Sequence, residues 1–148
     1  MTTKDVLALL LAVLWTWPAF AAAEGPVDVW KSPSCGCCGA WVEHLEKNGF
    51  GVKENAVTPS MLDQIKRQAG IGENLASCHT AKIGNYVIEG HVPTEDIKRL
   101  LAERPSALGL AVPGMPIGSP GMEQGGNTEP YDVLLIKKDG TTEVFARH

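Results

Sequence analysis

Val27-Asp28-Val29-Trp30-Lys31-Ser32-Pro33-Ser34-Cys35-Gly36-Cys37-Cys38-Gly39-Ala40-Trp41 is the stretch whose reading decides the fold. Positions 27–30 alternate apolar and polar residues, the period of a half-buried strand, and positions 33–39 read as a turn. A helix is predicted over positions 40–47, with Trp41, Val42 and Leu45 on one side and Asn48-Gly49 as its stop. A strand, a cysteine-bearing turn and a helix in immediate succession open a thioredoxin-like pattern.

Outward from that stretch the alternation of elements continues. Positions 50–57 suit a second strand, and Thr58-Pro59 has the form of an N-cap followed by proline at the first helical position. Met61, Leu62, Ile65 and Ala69 make a helical stripe that Gly70 closes. Positions 80–89 are rich in strand formers, and Gly84-Asn85 leaves one strand or a tight hairpin open. Pro93-Thr94-Glu95-Asp96 starts another helix, which buries Ile97, Leu100 and Leu101 until Pro105. Positions 107–130, rich in Gly and Pro, read as one long loop, and Asp139-Gly140 marks a hairpin between two final strands. The expected fold class is α/β: a thioredoxin-like single domain with an added C-terminal β-hairpin.

The first residues carry a different signal. One Lys precedes an uncharged run that ends in small residues, Ala21 to Ala23, as in a cleavable signal peptide. Residues 1–23 are therefore expected to be removed, leaving 125 of the 148 residues, 24–148, as one thioredoxin-like domain. The strongly apolar part is shorter than the ~20 residues that span a bilayer, so no stable membrane insertion is expected after cleavage. With a net charge of −4 and no basic run, the chain offers nothing to nucleic acid. At 44% apolar residues it can bury a core without disulfide staples, so the cysteines call for another explanation.

Cys35-Gly36-Cys37-Cys38 is C-x-C-C, one thiol more than the C-x-x-C of redox enzymes. Cys35 and Cys38 keep the C-x-x-C spacing, whereas adjacent Cys37 and Cys38 suit disulfide geometry poorly. A helix N-terminus beside these sulfurs would favour thiolates, which are both nucleophiles and ligands. Three sulfurs within four residues cannot surround one zinc tetrahedrally without strain, while cuprous copper accepts two or three thiolates and bridging sulfur. Cys78, next to His79, faces the motif if the strand after it lies beside the first. Two structural disulfides are the bland alternative.

His79 is a candidate ligand because imidazole suits copper. Met115 and Met122, in the long loop, are thioether candidates for the same soft ion. His44 falls about 10 Å along the helix from Cys37 and is expected to be structural, and His91 and His148 carry no specific expectation.

Taken together, VWKSPSCGCCGAWVEHLE (29–46), SCHTAKIGNYVIEGHVP (77–93) and VPGMPIGSPGME (112–123) resemble a bacterial family described as a domain of unknown function, which includes the CopG-type periplasmic copper-resistance proteins. The resemblance implies a periplasmic location, a thioredoxin-like fold, and several cuprous ions bridged by Cys35, Cys37, Cys38 and Cys78. It further suggests interconversion of cuprous and cupric copper during detoxification. Two other readings stay open on the residues alone: a thiol–disulfide oxidoreductase using Cys35 and Cys38, and a non-catalytic carrier or chaperone that hands copper to another periplasmic copper protein.

Overall fold

The computed structural model describes residues 25–148, so the expected signal peptide lies outside the described residues. β1 (Val27–Lys31) leads through a short turn into α1 (Gly36–Lys47), followed by β2 (Val52–Ala56) and α2 (Pro59–Gln68). The hairpin β3 (His79–Ile83) and β4 (Tyr86–Glu89) comes next, then α3 (Thr94–Glu103), β5 (Ala107–Ala111) and a last hairpin, β6 (Asp132–Lys137) and β7 (Thr142–Arg147).

The strands form one mixed sheet in the order β2-β1-β3-β4-β5-β6-β7. β1 pairs parallel with β2 and antiparallel with β3, so the end of β1 meets the start of β3, with Lys31 opposite His79. That register brings the turn after β1 to the residue before β3, as expected for positions 33–39 and 78. β4 and β5 are parallel and joined through α3, and the C-terminal hairpin extends the sheet beyond β5.

Side chains alternate across the sheet and separate two packed layers. Val29, Ala81, Ile83 and Ile88 form the main core with Trp41, Val42 and Leu45 of α1 and Ile97 and Leu100 of α3. Trp41 is wholly buried and its indole N–H donates to Val92 O at 2.9 Å, which fixes α1 against the loop before α3. A full-length aromatic burial of this kind stabilises by roughly 1.5–3 kcal/mol. On the opposite face Ile71, Leu75, Ala111 and Ile136 make a smaller cluster.

Two expectations are revised and one open alternative is settled. α1 begins at Gly36 rather than at position 40, because Cys35 in extended conformation serves as N-cap and Gly36 and Cys37 already turn helically. The open alternative at positions 80–89 resolves as a hairpin, with Gly84 in the left-handed region at φ 54°. The stretch 107–130 is not all loop. Its first five residues are β5, where Gly109 lies so close to β4 that any Cβ would overlap the Val87 carbonyl. A strand of small residues broken by glycine lacks the β-branched signature by which strands are read.

Candidate metal centre

Cys35 caps α1, and Cys37 and Cys38 occupy its first turn, where backbone N–H groups have no partner within the helix. Cys38 faces inward and is wholly buried, while Cys35 and Cys37 are partly exposed. Cys78 arrives from the residue before β3. The four Sγ atoms all lie within 4.8 Å of one another. Cys35 Sγ is 3.5 Å from Cys37 Sγ, Cys37 Sγ is 3.8 Å from Cys78 Sγ, and Cys38 Sγ is 3.8 Å from the Cys78 carbonyl oxygen. Cys35 and Cys38 are joined in a disulfide, with Cα atoms 5.4 Å apart, and Cys37 and Cys78 are free thiols. The pair of structural staples is therefore not what the chain holds.

Two imidazoles complete the cluster. His79 Nδ1 is 3.3 Å and His91 Nε2 3.1 Å from Cys78 Sγ. The His91 Nδ1 position faces Pro120 O at 2.8 Å, an acceptor only, so Nδ1 carries the hydrogen and the Nε2 lone pair points at the thiol. Burial lowers the pKa of both rings, and for His79 the neighbouring His91 and Lys66 add to it, so both are neutral ligand-type imidazoles. His79 is packed between Trp41, at 4.4 Å between centroids, and His91, at 4.9 Å. Its Nε2 is buried without a hydrogen-bond partner.

Burial, followed by the adjacent Cys37, pushes the Cys78 thiol up to about 12. Without a cation Cys78 keeps its proton, and a bound cation would have to displace it. The donor set fits a soft ion. Cys37 and Cys78, 3.8 Å apart with an imidazole nitrogen of His79 and of His91 beside Cys78, are sulfur and nitrogen donors of the kind a soft cation takes.

A buried charge network lies behind Cys78. Glu89 Oε1 accepts from Lys66 Nζ and from the Ser77 backbone N–H, and Glu89 Oε2 accepts from the Thr80 hydroxyl. Ser77 and Thr80 flank Cys78-His79, so this network fixes the turn that presents both ligands. Burial raises the Glu89 carboxyl while the Lys66 ammonium pulls it down.

Two solved structures, "Copper resistance protein copG- Form 1" and "Form 2", share 40% and 41% sequence identity with this chain. Their TM-scores are 0.78 and 0.77, and the match covers 84% and 83% of this chain and 98% and 97% of theirs. The chain belongs to the CopG family. A family model described as "Protein of unknown function, DUF411" matches residues 75–122, which include Cys78, His79 and His91. No curated protein matches the chain.

In this CopG-family chain the predicted residues divide clearly. Cys35, Cys37, Cys38 and Cys78 form one group of possible ligands, and His79 joins His91 in a second group that shares Cys78. Met115 and Met122 line a groove of about 490 Å³ whose wall includes Cys37 but none of the other three cysteines. His44 accepts from the Thr94 N–H at 3.3 Å and belongs to the start of α3, and His148 pairs with Asp96 at 2.8 Å. His91 is the centre residue that sequence reasoning passed over.

Proposed function

We propose that this chain is a periplasmic copper-resistance protein that holds cuprous ions on Cys35, Cys37, Cys38 and Cys78. The observation that carries the reading is the convergence of four sulfurs within 4.8 Å from two turns forty residues apart, in a chain 41% identical to a copper resistance protein. Soft thiolates select cuprous copper over harder divalent ions. Sulfurs this close favour bridging, hence more than one ion, with His79 and His91 tuning or ligating beside Cys78. The β1–α1–β2–α2–β3–β4–α3 unit with strand order β2-β1-β3-β4 supports a thioredoxin-like core for residues 24–148. The signal-type leader supports export and cleavage near Glu24.

The Cys35–Cys38 disulfide gives the centre a second state. Two cuprous ions becoming cupric release two electrons, the number that opens one disulfide to two thiols with uptake of two protons. The reverse reaction closes the disulfide and returns copper to the cuprous state. Returning the disulfide to two thiols while copper stays cuprous takes two further electrons from an external donor, so a copper oxidoreductase at this centre would turn over only with such a reductant. The same disulfide also favours the rival reading, a thiol–disulfide oxidoreductase, because it occupies the C-x-x-C pair of such enzymes.

Cys78 separates the two. A redox dithiol of Cys35 and Cys38 would scarcely respond to loss of Cys78, whereas a shared cluster would lose a bridge. Cys78→Ser is expected to reduce cuprous stoichiometry and affinity as severely as Cys37→Ser in titration against a competing cuprous chelator. Full copper binding in Cys78→Ser, together with insulin-disulfide reduction abolished by Cys35→Ser, would establish the thiol–disulfide enzyme instead.

A further inference from the structure

The loop of residues 114–123 does not wander over the surface. It is pinned to both cysteine-bearing turns. At its start the Gly114 N–H donates to Ala76 O at 3.2 Å and Gly114 O accepts from the Ser77 hydroxyl, one residue before Cys78. Near its end Pro120 O accepts from His91, and Gly121 lies so close to α1 that a Cβ there would come within 2.8 Å of Cys37 O and of the Trp41 nitrogen. Met115 follows the first anchor and Met122 follows the second. Both line the groove of about 490 Å³ that Gly36, Cys37 and Ala40 wall from the α1 side. Met115 is 50% exposed, unusual for so apolar a side chain, and Glu123 adds a carboxylate at the same groove.

We propose that this groove is the loading port for cuprous ion: the Met115 and Met122 thioethers take the ion from its carrier and pass it to Cys37. The inference rests on the copper reading above. A thioether is neutral, needs no deprotonation and binds a soft cation weakly, so it captures the ion without retaining it. Cys37 is the free thiol on the groove wall, and Cys78 stands 3.8 Å behind it. The transfer is ligand exchange without redox change. Copper–thioether contacts break, a copper–sulfur bond to Cys37 forms, the thiol proton leaves to water, and copper remains cuprous throughout.

The test uses the full mature chain, reduced and anaerobic, with a coloured cuprous–chelator complex as the copper source. In the double variant Met115→Leu/Met122→Leu, which conserves volume and so spares the fold, stopped-flow loading is expected to slow by about tenfold or more. Equilibrium stoichiometry and affinity against the same chelator should remain those of the parent. Met61→Leu is the control, since Met61 is equally exposed at 48% but lies on α2, outside the groove. An unchanged loading rate in the double variant, or equal slowing by Met61→Leu, would overturn the port. A lower stoichiometry in the double variant would overturn it too, because the methionines would then be permanent ligands. If the parent chain takes up no cuprous ion, the copper reading itself falls and the port falls with it.

Discussion

His91 stands thirteen positions after Cys78, yet its Nε2 reaches that thiol because the β3–β4 hairpin pairs Thr80 with Glu89 and Ile83 with Tyr86. Continuing that register by two residues sets Cys78 across from His91. The placement was legible in principle: a tight turn at Gly84-Asn85 fixes which residues face each other. As long as positions 80–89 could equally be one strand, nothing linked His91 to the cysteines. Cys35, Cys37, Cys38 and Cys78 were legible because their side-chain chemistry is specific and their spacing unusual. His79 shared the visibility of Cys78. Replacing His91 with Leu is expected to lower cuprous affinity by about tenfold or more, the usual consequence of losing a ligand or its supporting contact. His44→Gln, remote from the sulfurs and holding only the Thr94 N–H, should leave affinity unchanged in the same chelator titration. Equal affinity in His91→Leu and the parent would remove His91 from the centre.

At the scale of elements, apolar periodicity, capping residues and the Asp139-Gly140 turn signal located all three helices and the strands β1, β2, β6 and β7. It failed where packing overrides pattern. β5 escaped notice because a strand buried between β4 and β6 needs small residues and a glycine at the close approach to Val87. In α2 the apolar stripe suggested that Met61 faces the core, but Met61 is exposed and Lys66 is buried. The Lys66 ammonium meets the Glu89 carboxylate, with side-chain exposures of 9% and 0%, and together they hold Ser77 and Thr80. Periodicity cannot announce such a pair, since a lysine on a helix is ordinarily a solvated residue. Lys66→Met leaves a buried carboxylate without its cation and should destabilise the fold by about 3–5 kcal/mol, measured by urea unfolding. The joint change Lys66→Met/Glu89→Leu should recover much of that loss. A single variant as stable as the parent would mean that Glu89 is neutral in the native state.

Across the whole molecule, one seven-stranded sheet carries the centre at the junction of β1 and β3, covered by the loop of residues 114–123. Among the described residues no helix is long and apolar enough to cross a membrane. The antiparallel pairing of β1 and β3 is what turns a local C-x-C-C motif into a four-sulfur site, and the disulfide within it sets how many of the four sulfurs are free thiols. With Cys35 and Cys38 oxidised, only the Cys37 and Cys78 thiols and two imidazoles remain as donors. The most direct measurement is anaerobic cuprous titration of protein recovered from the periplasm, its mass first read to locate the N-terminus near Glu24, in the fully reduced and the Cys35–Cys38 oxidised forms. The account predicts more than one cuprous ion per reduced chain and fewer per oxidised chain. One tightly held zinc that copper cannot displace, or equal copper loading in both redox forms, would contradict it.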